Sequence, residues 1–307
     1  MISNQLNYDR ILVATDFSPY AAAAMKQAVW LAREMGGQLI LAHTIPDFSM
    51  SAFWGPHERE ANQRTLRERS DIAMRHAVVD LNAMDLDVKL MTHVGEPFVE
   101  IMRAVQEEGC SLVIVGTRGH AKWEQFFVGS TAKRLIRKCA SSVWIVKAEH
   151  VGPPKVVLAA TDFSAVSLKA AREGMKIAQQ AGAEFHLLHI VDSSDVPEDV
   201  ISKIPTGSSV RQEVNEEATR RLEEFLESLA GDRTKIRPHL SWGTPWQEIQ
   251  RIARHQAADL IVIGTVGRSG IKGLLLGNTA EKVLDTCDCS ILTVKPDDFV
   301  SPIEPSL

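Results

Sequence analysis

No apolar run in this chain approaches the roughly 18 residues that a membrane-crossing helix needs. The opening MISNQLNYDRILVA also lacks the charged-then-apolar order of a secretory signal. Cysteine is scarce: Cys110, Cys139, Cys287 and Cys289 are the four in 307 residues, and they lie close to apolar segments. That is too few for a disulfide framework in a chain of this length, so reduced thiols in a soluble, cytoplasmic protein are expected. A basic excess is missing too. Against 39 Asp and Glu stand 34 Lys and Arg, a net charge of −5, which argues against broad contact with nucleic acid or an anionic membrane. Any anionic ligand must therefore be small. Finally, neither a Walker-A G-x-x-x-x-G-K-[ST] run nor a dinucleotide-type G-x-G-x-x-G follows the first strand, and those two phosphate-binding readings fall away.

What is present is a repeat. At 45% hydrophobic and 24% charged residues the chain can bury two ordinary cores. ILVATDFS at 11–18 returns as VVLAATDFS at 156–164, GGQLILAHTI at 36–45 as GAEFHLLHIV at 182–191, and THVGEPFVEI at 92–101 as LSWGTPWQEI at 240–249. GTRGHAKWEQFFVGST at 116–131 returns as GTVGRSGIKGLLLGNT at 264–279. A nearly constant offset over whole copies marks a duplicated domain. The polar AEHVGPP stretch separates the copies, giving expected domains at 1–149 and 154–307.

Each copy alternates short β-branched runs with longer helical segments, the pattern of βαβ units around a parallel sheet. Strands are expected at 10–15, 38–44, 87–93, 111–116 and 142–147, then at 155–161, 184–191, 235–240, 259–264 and 290–295. Ser18–Pro19 opens a first helix and Gly36–Gly37 closes it, with Ala22, Met25, Val29 and Leu31 facing the sheet. Long helices are expected near 58–83 and 209–230, the second burying Val214, Ala218, Leu222 and Leu226.

In an open doubly wound sheet, ligands bind beyond the carboxyl ends of the strands where strand order reverses. Gly116 and Gly119 leave strand four there, and Gly129, Ser130 and Thr131 re-enter ahead of a helix. Glycines allow close backbone approach, and a helix N-terminus presents unbonded N–H groups, which together suit a phosphate. Strand one delivers Asp16, and its counterpart Asp162, to the same edge. That carboxylate could accept from ribose hydroxyls or hold a divalent cation. Arg118, His120 and Lys122, with Arg268 and Lys272, are candidates for neutralising phosphates. The bland alternative treats the glycines as turn residues and the charges as solvated loop positions.

Other residues point less clearly. His186 and His189 lie three apart on an expected strand, hence on opposite faces, and read as core or hydrogen-bonded histidines rather than metal ligands. Cys287 and Cys289 read as buried small residues. Trp123, Phe126 and Phe127 could close over a nucleotide or fill the loop. Phe48, Phe53 and Trp54, in the stretch 46–60, could form a lid over an apolar ligand or pack on the second helix.

The G-x2-G-x9-G spacing written twice resembles the G-x2-G-x9-G-[ST] pattern of nucleotide-binding universal stress proteins, and the resemblance covers both halves. The 46–60 stretch, GTVGRSGIKGLLLGNTAEKVLD and the tail VKPDDFVSPIE are similar to the bacterial E-type subgroup. It implies two Rossmann-like five-stranded parallel sheets of order 3-2-1-4-5, joined as an internal pseudo-dimer through the fifth strands. Whether two chains form a homodimer is left open. It also implies ATP, or AMP or ADP, as ligand, with Mg²⁺ or Mn²⁺, in a stress-response regulatory protein. By motif, one site would use Ala14, Thr15, Asp16, Thr44, Val115, Gly116, Gly119, Gly129, Ser130 and Thr131. The other would use Ala160, Thr161, Asp162, Ile190, Ile263, Gly264, Gly267, Gly277, Asn278 and Thr279. Asn278 departs from the Ser or Thr of the pattern, and is expected to cap its helix with Glu281 three residues on. No dedicated catalytic base accompanies the aspartates. A binding protein is expected before a slow metal-dependent ATPase or an interaction protein with an apolar-ligand pocket.

Overall fold

The structure is a computed structural model that describes residues 8–49, 55–117, 128–147, 151–192, 209–229, 235–267 and 276–301. It divides into two compact units, the first running to Pro153 and the second spanning Pro154–Phe299.

In the first unit the order is β1 (Arg10–Thr15), α1 (Pro19–Met35), β2 (Gln38–Ile45), α2 (Pro56–Asp80), β3 (Val88–Val94), α3 (Pro97–Glu108), β4 (Leu112–Gly116), α4 (Ser130–Lys138) and β5 (Ser142–Val146). The second repeats it as β6 (Val156–Thr161), α5 (Ala165–Ala181), β7 (Glu184–Asp192), α6 (Ser209–Ser228), β8 (Ile236–Gly243), α7 (Pro245–His255), β9 (Leu260–Gly264), α8 (Asn278–Thr286) and β10 (Ser290–Val294). Within each unit the sheet is parallel and runs β3-β2-β1-β4-β5 or β8-β7-β6-β9-β10, the expected 3-2-1-4-5 order. Strand order reverses between β1 and β4, and between β6 and β9, so a crevice opens at the carboxyl ends of those pairs.

The central strands read as near-continuous apolar runs because helices cover both sheet faces. Ile11, Leu12 and Val13 in β1, and Leu112, Val113 and Ile114 in β4, are completely buried. Helix α1 starts as its sequence dictates: Ser18 Oγ accepts from the Ala21 N–H, Pro19 takes the first position, and Gly36 closes the helix at φ 67. Met25, Val29 and Leu31 are buried as expected, but Ala22 is only half-buried.

Helix α6 corrects the expected seam. Ala218, Leu222, Phe225 and Leu229 are buried, whereas Val214 is exposed and Leu226 half-buried. Strict steps of four residues drift by about 40° per step on a helix of 3.6 residues per turn, and the observed 4-3-4 spacing stays on one face. The four cysteines are buried and none is joined in a disulfide, as read from the sequence. Burial, with Glu108 nearby, pushes the Cys110 thiol up to about 12.

Candidate functional site

The carboxyl ends of β1 and β6 are built identically. After Thr15 the chain turns through Phe17 at φ 62, and after Thr161 through Phe163 at φ 65. Bulky residues seldom enter this left-handed region, at a cost of roughly 1–3 kcal/mol each. Local hydrogen bonds hold the turn. Thr15 Oγ1 accepts from the Phe17 N–H at 3.0 Å, and Asp16 Oδ1 accepts from the Ser18 N–H at 3.0 Å. In the second unit the same bonds measure 2.9 Å to Thr161 Oγ1 and 3.1 Å to Asp162 Oδ1. Both threonine side chains are buried, so Thr15 and Thr161 can offer a ligand only backbone. Each aspartate carboxylate is oriented through one oxygen at the mouth of the sheet.

A histidine from the neighbouring strand completes this support, a role the sequence reading did not assign. His43 donates through Nδ1 to the Thr15 carbonyl at 2.7 Å, and His189 to the Thr161 carbonyl at 2.9 Å. Phe17 lies against the His43 ring at a centroid distance of 4.6 Å, and Phe163 against His189 at 4.0 Å. The signal that could have found them was their constant offset from the aspartates in the two copies. Thr44 is half-buried beside His43, and Ile190 is buried beside His189. Ala14 is half-buried and Ala160, Val115 and Ile263 are buried on the converging strands.

The glycine loops arrive at the same edge. A Cβ on Gly267 would lie 2.8 Å from Asp162 Oδ2, so in the second unit the strand-end carboxylate occupies the space a side chain at the second loop glycine would need. Gly119, its counterpart, lies outside the described residues, as do Arg118, His120, Lys122, Trp123, Phe126, Phe127, Arg268, Lys272, Phe53 and Trp54. Gly116 and Gly264 have another physical reason to lack a side chain. At Gly116 a Cβ would sit 2.6 Å from the Tyr20 carbonyl oxygen, and at Gly264 2.9 Å from Val166 Cγ1, so the first helix of each unit requires them whatever binds.

Re-entry is closed by a backbone bond. Gly129 N–H donates to the Thr117 carbonyl at 2.7 Å, and Gly277 N–H to the Thr265 carbonyl at 2.7 Å. These threonines were not singled out in the sequence, although both copies carry Gly-Thr at that point. Gly129 and Gly277 are then the N-caps of α4 and α8, and neither cap makes a side-chain bond. Asn278 therefore does not cap its helix, in contrast to the expectation. It is the first helical residue, exposed, and Glu281 N–H donates to the Gly277 carbonyl. A glycine cap brings no side chain of its own to the first-turn N–H groups, and the helix dipole adds partial positive charge there. Ser130 and Thr131, or Asn278 and Thr279, sit in that first turn.

The two N-termini differ in charge. Helix α4 has no acidic residue in its first turn and carries Lys133, Arg134, Arg137 and Lys138, while α8 carries Glu281 in its first turn, then Lys282 and Asp285. Among the described residues, no group of three or more His, Cys, Asp or Glu could hold a metal ion. A cleft of about 440 Å³ in the second unit lies behind Phe163, between α5 and α6, and is lined by Leu168, Arg221 and Phe225 among others. None of the expected site residues lines it.

Together these features define a class: a tandem α/β protein in which each unit brings a strand-end aspartate, the glycine at the end of its fourth strand and a glycine-capped helix N-terminus to one edge of a parallel sheet. The chain belongs to the universal stress protein family, whose profile matches residues 7–147 and 154–295. It is 30% identical over 314 aligned residues to Universal stress protein E of Escherichia coli K12, covering 97% of each chain. A universal stress protein of Methanocaldococcus jannaschii is 34% identical over 142 residues, covering 46% of this chain and 82% of that one. Among solved structures, a universal stress protein from Archaeoglobus fulgidus superposes with a TM-score of 0.68 at 20% identity, covering 94% of this chain and 98% of that chain. One from Pseudomonas aeruginosa superposes at 0.69 and 21%, covering 95% and 94%, and both likenesses bear on the fold alone. Among the described residues, no helix is long and apolar enough to cross a membrane.

Proposed function

We propose that the protein binds an adenine nucleotide, ATP or its hydrolysis products, at the strand-end sites, and that occupancy rather than turnover is its output. The observation that carries this reading is the Asp162 carboxylate standing in the space a side chain at Gly267 would need, on the loop that leads to the glycine-capped N-terminus of α8. One carboxylate and one anion-favouring helix end at the same edge match the two ends of a nucleotide, ribose hydroxyls and phosphates. The first unit repeats Asp16, Gly116 and the Gly129 cap, so it is the second candidate.

A divalent cation fits this donor set only as a companion of the phosphates. The protein offers each site one oriented carboxylate, Asp16 or Asp162, whereas Mg²⁺ commonly takes one or two carboxylates plus phosphate oxygens and water. Bound there, the ion would neutralise phosphate charge. What the residues themselves do is orient: His43 and His189 fix the strand-end carbonyls, and Ser18 and Ser164 N–H groups fix the carboxylates. Titration of the intact protein with ATP and Mg²⁺ tests the reading. Binding that weakens at least tenfold in Asp16→Ala/Asp162→Ala, with the fold retained, is the expected result. Metal-dependent phosphate release lost in that variant would instead make the protein a slow ATPase.

A further inference from the structure

The strands β7 and β8 carry a polar cluster that plays no part in the candidate site. His186 is completely buried, and its rings stack with His239 at a centroid distance of 5.0 Å and 18° between planes. The nitrogens His239 Nε2 and His186 Nδ1 lie 2.9 Å apart, and His186 Nε2 lies 3.3 Å from Glu184 Oε2. One proton arrangement satisfies both contacts without adding charge: His186 donates through Nε2 to Glu184, and His239 donates through Nε2 to His186 Nδ1. Both rings are then neutral. A single added proton can still be shared between the two rings, but protonating both aims two N–H groups at each other across 2.9 Å and sets two cations side by side.

The surroundings offset that charge only in part, because Glu184, which faces His186 Nε2, is shared with a second cation. From β8, Arg237 already pairs with Glu184 at 2.9 Å, and from α7 His255 adds a further repulsive charge when protonated. On β6, the register neighbours of Glu184 and His186 are Val156 and Leu158. The remaining charges on α7 near this face, Glu248 and Arg251, are engaged with each other and with Ser241. Strand β8 is the edge of its unit's sheet by order, pairs with β7 and carries Pro238, which cannot donate to a ladder. The first unit places Ile40 and Met91 at the matching positions of β2 and β3.

We propose that the His186–His239 pair is an acid-sensitive latch, which holds β8 onto β7 while both rings are neutral and releases it when both take up protons. His239 is held below the ordinary histidine value of 6.5, first by burial and then by His186, Arg237 and His255. The unfolded strand therefore binds protons more readily than the folded one. The stability that neutral His239 contributes is present above about pH 6.5 and is lost as pH falls below it. Each proton taken up only on opening shifts the equilibrium by up to about tenfold per pH unit. In a stress protein this gives a readout of acidification that needs no ligand.

Hydrogen–deuterium exchange with mass spectrometry, on the full chain at about pH 7.5 and about pH 5 and corrected for intrinsic exchange, tests the latch. Peptides spanning 236–243 should lose at least tenfold protection on acidification relative to peptides spanning 88–94, and His186→Ile/His239→Met should keep it. Should that double variant fail to fold, His239→Gln retains a donor to His186 without titrating and should likewise keep β8 protected. Equal acid sensitivity of 236–243 and 88–94 in the native protein, or loss undiminished in the variants, would overturn the proposal.

Discussion

Gly267→Ala isolates the one contact on which the nucleotide reading rests. The new methyl would arrive 2.8 Å from Asp162 Oδ2, closer than carbon and oxygen pack, so the carboxylate must turn away. Turning strains the 3.1 Å bond that Asp162 Oδ1 accepts from the Ser164 N–H. Bonds to charged groups contribute about 1.5–3 kcal/mol when buried, and for this half-exposed carboxylate about 1 kcal/mol is reasonable. Gly267 is not at a positive φ, so alanine also lowers the entropy of the unfolded chain, an offset of about 0.4–1 kcal/mol. Global stability should therefore fall by no more than about 0.6 kcal/mol in urea unfolding. Affinity at the second site should fall about tenfold, or about 1.4 kcal/mol, because the misdirected carboxylate no longer meets the ribose. Since both changes act through one carboxylate, Gly267→Ala/Asp162→Ala should bind no worse than Asp162→Ala alone. Unchanged nucleotide affinity in a normally stable Gly267→Ala protein would refute the placement.

Three further outcomes are expected. With Lys133 and Arg134 following the α4 cap and Glu281 in the first turn of α8, the ratio of ATP to AMP affinity should be larger at the first site; calorimetry on variants that block one site each would show it. In α6, Phe225→Ala should cost about 3 kcal/mol and Val214→Ala less than about 0.5 kcal/mol, read as shifts in the denaturation midpoint. A Cys110 thiol pushed up to about 12 should be about one part in ten thousand thiolate at pH 8, so the native protein should leave it unalkylated while denatured chains react.

Much of this architecture was legible because the information is local or repeated. Apolar runs bounded by glycine, proline and charge place the strands within a few residues, and the largest difference is β8, which continues to Gly243 because pairing with β7 persists through Ser241 and Trp242. The order of the sheet came from the resemblance to the universal stress proteins, since short connections and one handedness of crossover still allow several orders. Details governed by backbone geometry were not legible. Phe17 and Phe163 occupy a left-handed position that their residue type does not advertise, and the histidines that hold the strand ends bind carbonyls, which every residue has. The cap of α8 was misplaced by one residue because asparagine is the better capping side chain, while the backbone bond from Gly277 to Thr265 decides where the helix begins. The glycines at 116 and 264 illustrate a further ambiguity: close packing on a helix and close approach to a phosphate leave the same residue in the sequence.

Calorimetric titration with ATP and Mg²⁺, on the intact protein and on Gly129→Trp and Gly277→Trp, tests the central claim most directly. The account predicts binding to the intact protein that is lost from one pocket in each variant, since an indole at either cap would stand where the phosphates approach the helix end. Absence of heat and of competition by ATP in the intact, folded protein would contradict it, leaving the glycines as turn and packing residues of a family member that does not bind nucleotide.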